Sequence, residues 1–490
     1  MADRSPPPAN EQAGCDRAAP PAVQETMSLS GSEDPCAFRL EFDRGTLVLR
    51  GDAPAVALPG MHWDERVGCY RAPARFHGAI IQKALACHVT LNDAAAMPLP
   101  QLPRISPPDL RPYQAAALDA WAIGGKRGVI VLPTGSGKTR VAAAAVAAEG
   151  RASLCLVPTR ILLGQWRSTL ADLLGIPIGV LGDGEHDVRP ITVATFESAW
   201  RHMGDIGNRF ELLVVDEAHH FGAGTRDEAL EMSTATRRLG LTATPPQDAT
   251  LTGLEDLVGP IVFELGIADL TGNFLAELEL IELRLGLSAS ERAQYDEAWG
   301  AFRSAFDRFH DLAPMGSWGD FLAWAGRSAP GREAIAGWRL ARALLALTEA
   351  KSAAVGSLLA RHHESRVLLF TSTQEAAYRI SREHLVMPIT ADVRGVEREA
   401  ALAAFRAGRI RALVSSRVLN EGFDVPDADV GIVVGGALGE REHVQRIGRL
   451  LRPAEGKRAF VYELVTRRTA EVDGTRRKRR GLRSRRAGAL

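Results

Sequence analysis

Short aliphatic runs recur along most of the chain, each followed by a longer stretch with helical spacing. The first group is "GVIVL" (128–132), "SLCLV" (153–157), "ITVAT" (191–195) and "LLVV" (212–215). The texture returns with "VLLF" (367–370), "RALVSS" (411–416) and "VGIVV" (430–434). Bare aliphatic strands separated by helices predict parallel sheets covered on both faces. Two α/β blocks are expected, over 110–265 and 266–466. Ahead of them the pattern differs. "FRLEFDRGTLVLRGD" alternates apolar and polar positions on either side of a turn at Asp43–Gly45, which predicts a hairpin. A helix is expected after Pro73, which makes 37–93 a small α+β domain joined by a Pro-rich linker at 94–109. Residues 1–36 read as disordered. Within the second block, 288–346 reads as a helical insert. There Tyr295, Trp299, Phe302, Phe306 and Phe309 step by four, three, four and three. That stripe is either packed core or a face for stacking bases.

Composition adds limits. A chain of 490 residues is too long for one core and predicts several domains. No apolar run approaches the ~20 residues that cross a bilayer, so no membrane partner is expected. The polar, Pro-rich start lacks a signal-peptide pattern, which points to the cytoplasm. Cys15, Cys36, Cys69, Cys87 and Cys155 are scattered, with no C-x-x-C pair to suggest zinc. Charge is uneven. The tail from Arg467 to Leu490 holds ten basic and two acidic residues, a net of +8, against −8 for the rest. A cationic tail on an acidic body is either a grip for a polyanion or a solvated end.

The chemistry begins at "VLPTGSGKT" (131–139). A strand runs into a Gly-rich turn and then an Ala-rich helix. Gly135 and Gly137 supply the backbone freedom that turns successive N–H groups toward a phosphate at the helix N-terminus. Lys138 would reach the β- and γ-phosphates of ATP, and Thr139 would ligate Mg²⁺. Leu132 stands where the strict phosphate-loop pattern has glycine. "LLVVDEAHH" (212–220) then delivers Asp216 and Glu217 to the end of a buried strand, where open α/β sheets bind ligands. One carboxylate, Asp216, can hold Mg²⁺, and its neighbour can deprotonate the attacking water. Arg446 and Arg449, three apart on one helix face in the second block, can supply the positive charge that phosphoryl transfer requires.

These motifs resemble the superfamily 2 helicases of the DEAH type, in which the shortened phosphate loop is common. The resemblance implies two RecA-like parallel-sheet domains, with Pro133, Thr134, Gly135, Ser136, Gly137, Lys138 and Thr139 around the phosphates. "LRPYQ" (110–114) is similar to the adenine element, with Arg111 and Gln114. "VPTRILLGQW" (157–166) resembles a nucleic-acid motif, with Thr159, Arg160, Gln165 and Trp166. His219 with Thr242 and Thr244 of "LTATP" resembles the coupling element. Gly422 and Asp424 in "VLNEGFDVPDADVGIV" add nucleotide contacts, and "QRIGRLLRP" makes Arg446 and Arg449 arginine fingers.

Within the superfamily, "FDRGTLVLRGD", "WDERVGCYRAPA" and "VYELVTRRTAEV" resemble the XPB-type DNA-repair helicases. That subgroup implies a damage-recognition-like domain at 37–93, a thumb-like insert, and 3′→5′ movement on single-stranded or forked DNA. A nuclease or repair-complex partner is a further implication. Arg44, Arg66, Arg71 and Arg75 with Trp63 and Tyr70 are either a DNA surface or partly core. One departure stands out. Where the subgroup carries an Arg-Glu-Asp triplet, this chain has Gln247, Asp248 and Ala249, which implies weak or partner-dependent strand separation. The alternatives are an RNA-directed helicase and a nucleotide-gated scaffold in repair or phage defence.

Overall fold

The computed structural model describes residues 38–51, 56–270, 277–390, 392–416, 428–435 and 458–478. The first sheet contains β1 (Phe38–Asp43), β2 (Thr46–Arg50), β3 (His62–Asp64), β4 (Cys69–Pro73) and β5 (Leu91–Ala94) in the order β3-β4-β2-β1-β5. The expected β1–β2 hairpin forms, and both Arg44 (φ +46°) and Gly45 (φ +89°) take the left-handed angles of a tight two-residue turn. Helix His77–Ala86 lays Ile80 on Leu40, Leu47 and Leu49 to close a small core.

This domain is seated on the first α/β block. A Cβ on Gly45 would lie 2.3 Å from Met232 Cγ, so the hairpin tip fits only as glycine. The Pro-rich segment after β5 is also held. Met97 and Leu99 donate to the carbonyls of Asn208 and Arg209, and Leu102 to that of Gly150.

The first block is an eight-stranded sheet. Its strands are β6 (Arg127–Val131), β7 (Ser153–Val157), β8 (Gly179–Gly182), β9 (Glu185–Asp187), β10 (Ile191–Thr195), β11 (Leu212–Asp216), β12 (Arg237–Thr242) and β13 (Ile261–Glu264). The order is β13-β6-β12-β11-β7-β10-β8-β9, parallel apart from the β8–β9 pair. Strands β7, β10 and β11 are buried along their whole length, as bare aliphatic strands require.

The second block is a parallel sheet of β14 (Glu277–Leu285), β15 (Val367–Thr371), β16 (Met387–Ile389), β17 (Ala412–Ser416), β18 (Val430–Val433) and β19 (Arg458–Thr466). Their order is β14-β19-β18-β15-β17-β16. Between β14 and β15 the insert forms three helices, Ala289–Leu312, Trp318–Gly326 and Ala329–Ala346. Ser288 with Glu291, and Ser317 with Asp320, cap the first two reciprocally. Tyr295, Phe302 and Phe309 are buried against the neighbouring helices, which settles those three positions of the aromatic stripe as core. The apolar stretch Ala329–Arg361 is long enough by composition to span a bilayer, but it is two helices parted at Leu347–Thr348.

Candidate functional site

The sheet order explains how the site is assembled. β6, β12 and β11 are adjacent, with Thr242 paired to Val131 and Asp216 to Leu241. Their carboxyl ends therefore bring the Gly-rich turn, the Thr242 hydroxyl and the acidic pair to one edge of the sheet.

The turn is built for a close approach of backbone. Gly137 precedes helix Lys138–Glu149 in the left-handed conformation (φ +83°), and Gly135 is also left-handed (φ +85°). A Cβ at Gly137 would stand 2.5 Å from Gln114 Nε2. The helix that begins at Pro112 braces the loop from outside. Tyr113 Oη and Gln114 Nε2 both donate to the Ser136 carbonyl, at 2.7 and 2.8 Å. Gln114 Oε1 accepts the Arg111 N–H at 2.9 Å, so this side chain fastens the loop as well as lining the cleft. The cleft is about 330 Å³, between Asp109–Arg111, Gln114, the Gly135–Gly137 turn and Arg140.

Lys138 Nζ touches the Leu132 carbonyl at 3.4 Å, a weak contact that a phosphate would replace. Three buried polar atoms nearby receive or make no hydrogen bond: Thr134 Oγ1, Glu217 Oε2 and Thr244 Oγ1. Buried polar atoms are normally satisfied, so such a group around a Gly-rich turn fits a polar ligand and its water. Thr139 is half-buried at the helix start, where a hydroxyl can face a cation held against the phosphates.

Asp216 is 6% exposed at the end of β11. Its Oδ1 accepts the Glu217 N–H at 3.0 Å and its Oδ2 accepts the Trp166 indole N–H at 3.1 Å. Burial and the Glu217 charge push its pKa up to about 7, against the pull of Lys138 and the two donors. Glu217 adopts the left-handed conformation (φ +47°), which is strained for a non-glycine residue and turns the chain sharply out of the strand. His219 Nδ1 lies 2.9 Å from Thr242 Oγ1 and 3.4 Å from Glu217 Oε2. Thr242 Oγ1 accepts the Thr244 N–H at 3.2 Å. The residues expected to couple, His219, Thr242 and Thr244, therefore form one hydrogen-bonded chain from β12 to the acidic turn.

The residues expected to contact nucleic acid separate. Thr159 caps helix Arg160–Leu174 by accepting the Leu162 N–H at 3.3 Å. Arg160 is exposed and pairs with Asp183 at 3.3 Å, and Gln165 is half-buried. Trp166 corrects the expectation that it contacts nucleic acid. At 2% exposure its ring is in the core, and its one polar atom is spent on Asp216.

A second pocket, of about 340 Å³, opens beside Arg160 and is lined by Gly182–His186, Thr195, Ser198 and Arg201. Two helices begin near its wall, at Arg160 and Phe196, each with a threonine cap, Thr159 and Thr195. The lining residues Gly182, Thr195 and Ser198 were not among the residues expected from sequence. The Thr-x-x-Ser spacing after "ITVA" was the available signal.

Three of the four candidate arginines of the N-terminal domain are engaged by other protein groups, while Arg44 is exposed. Arg66 is bidentate on Asp64, Arg71 pairs with Asp43 and Thr46, and Arg75 donates to the Asp256 carbonyl. Trp63 remains 54% exposed, edge-on to Tyr70. Arg446, Arg449, Gly422 and Asp424 lie outside the described residues. So do residues 479–490 of the basic tail.

Comparison with known proteins agrees with this arrangement. Residues 108–247 match the family described as the res subunit of type III restriction enzymes, and 350–454 match the helicase conserved C-terminal domain. Residues 40–95 match the damage recognition domain of the xeroderma pigmentosum group B helicase. The chain is 34% identical to the DNA 3′-5′ translocase XPB2 of Sulfurisphaera tokodaii, over 86% of this chain and 96% of that protein. It is 30% identical to the DNA 3′-5′ helicase XPB of Mycobacterium tuberculosis, over 76% of this chain and 63% of that one. Among solved structures, the Pyrococcus furiosus Hef helicase domain superposes with a TM-score of 0.50 at 18% identity, covering 74% of this chain and 97% of that one. The S. cerevisiae Dbp5 structure bound to RNA and ADP BeF3 gives 0.51 at 15%, covering 76% and 87%. These two likenesses concern the fold of the two RecA-like helicase domains, and the small domain ahead of them is the part matched by the damage recognition model. With the close match along nearly the full length of the Sulfurisphaera protein, the chain belongs to the XPB family of superfamily 2 helicases.

Proposed function

We propose that this protein is an ATP-dependent DNA translocase and helicase of the XPB type that moves 3′→5′. The observation that carries the reading is the meeting of the phosphate loop, Thr242 with His219, and Asp216–Glu217 at the ends of three adjacent strands. In this reading the triphosphate of ATP lies against the Gly135–Gly137 turn, and Lys138 exchanges the Leu132 carbonyl for phosphate oxygens. Mg²⁺ would be held by Thr139 and Asp216 and would neutralise charge on the phosphates. Glu217 takes the proton of the attacking water, and Arg446 and Arg449 stabilise the charge that develops as the γ-phosphoryl leaves.

DNA would run past the Arg160 pocket, where a phosphate would draw Arg160 away from Asp183 and use the N–H groups of two helix starts. We assign the motor to the DEAH type on the tetrad Asp216–His219, whose His219 ring contacts Thr242.

Strand separation is a finer point. Asp248 caps helix Ala249–Leu257 by accepting the Thr250 N–H at 3.0 Å, and Gln247 beside it is exposed and uncharged. This position offers no cation to a DNA fork, which favours translocation with partner-dependent unwinding. A nuclease or repair complex in the cytoplasm is the partner we propose.

The test compares ATP hydrolysis with equal amounts of single-stranded DNA and RNA, using Lys138→Ala as the blank. The reading expects strong stimulation by DNA and little by RNA. Equal stimulation would favour an RNA-directed motor. No turnover above the blank would favour a nucleotide-gated scaffold.

A further inference from the structure

Helix Arg160–Leu174 reaches two places at once. Arg160, its first residue, is exposed on the wall of the second pocket. Trp166 lies six positions further on, about 9 Å along the axis, in the buried cluster with Leu163 and Leu170. An indole has one donor and no acceptor. Here that donor is aimed at Asp216 Oδ2, at 3.1 Å, while Oδ1 is taken by the Glu217 N–H at 3.0 Å. Both oxygens of this buried carboxylate are thereby fixed in direction. Volume alone does not account for the nitrogen, since leucine or phenylalanine would also fill an apolar cluster.

We propose that Trp166 is a positioning residue for Asp216, and that its helix joins the Arg160 end, at the DNA-facing pocket, to the carboxylate of the nucleotide site. The proposal rests on the assignment of Asp216 as the Mg²⁺-holding acid. The partners behind a metal-holding group set its orientation, and their loss typically weakens metal binding about 10- to 100-fold. A helix held at Trp166 and carrying Arg160 about 9 Å away also gives DNA engagement a rigid connection to that carboxylate.

The experiment uses the full chain with two substitutions at this position. One is Trp166→Phe. The other replaces Trp166 with benzothienylalanine, which keeps the ring shape and lacks the N–H. The probe is a fluorescent, non-hydrolysable ATP analogue, titrated with Mg²⁺. Both variants are expected to need at least roughly tenfold more Mg²⁺ for half-maximal binding. Binding of a labelled single strand without nucleotide is expected to stay unchanged. The Mg²⁺ penalty should vanish when Asp216→Asn is already present, because it acts through that carboxylate.

An unchanged Mg²⁺ midpoint in the benzothienyl variant overturns the proposal. So does a penalty that persists beside Asp216→Asn, which would mark a purely structural role. Weaker strand binding without nucleotide would return Trp166 to the nucleic-acid contacts. Asp216→Asn alone tests the underlying assignment. If it binds Mg²⁺ and analogue like the parent, that assignment falls and the proposal falls with it.

Discussion

At Asp216 burial first, and the charge of Glu217 second, push the carboxyl pKa from 3.8 up to about 7. Between those values the folded protein holds a proton that the unfolded chain would release, so ionisation opposes folding as pH rises through this window. A bound cation would reverse the preference by favouring the anion. Two consequences can be measured. Mg²⁺-dependent nucleotide affinity should climb with pH up to about 7 and then flatten, with proton release on binding below that point seen by calorimetry in two buffers. Asp216→Asn should melt higher than the parent at pH 8 while losing hydrolysis. A pH-independent affinity would mean that Asp216 is already ionised without ligand. The location of Asp216 was legible in "LLVVDEAHH", because a short β-branched and aliphatic run ahead of two acids fits a buried strand ending at a site. Its bond to Trp166 was not, because fifty residues separate the two and only the packing of helix Arg160–Leu174 joins them.

At the scale of elements, the phosphate loop is held by geometry as much as by its glycines. Gly137→Ala combines a left-handed backbone, which costs about 1–2 kcal/mol outside glycine, with a Cβ 2.5 Å from Gln114 Nε2. We expect nucleotide binding to weaken by roughly tenfold or more, and unchanged binding would show that Gln114 yields without effect. In the second block, Lys351 is fully buried and donates to the Leu345 carbonyl and to both oxygens of Glu471, fastening the C-terminal helix Glu471–Lys478. Lys351→Ala leaves Glu471 without this partner and should destabilise by about 3–5 kcal/mol in chemical denaturation, as broken buried pairs do.

Which elements could be read from sequence follows from the same physics. β7, β11 and β15 announce themselves by four consecutive apolar residues each. β12 does not, because "RRLGLT" opens on two arginines. Arg238 is nevertheless fully buried, with its guanidinium donating to the carbonyls of Ser233, Ala235 and Leu257 and its pKa lowered by burial to about 9. Strand β5, only four residues long with none of them fully buried, gave no periodic signal either.

For the molecule as a whole, the small domain, the linker and the first block form a continuous body through Gly45 against Met232 and the Met97 and Leu99 bonds. A motor that grips phosphates also needs cationic reach, and the tail from Arg467 carries a net charge of +8. Removing residues 475–490 should weaken DNA binding and flatten the plot of affinity against salt, because fewer counterions are released. An unchanged slope would take the tail out of the interface. The central claim is that one cleft, served by Lys138, Asp216 and Glu217, drives movement along DNA. The direct measurement is displacement of a triplex-forming strand from duplex DNA. The account predicts displacement that requires ATP and disappears in Lys138→Ala. Displacement without ATP, or undiminished in Lys138→Ala, would contradict it, as would vigorous DNA-stimulated hydrolysis that displaces nothing.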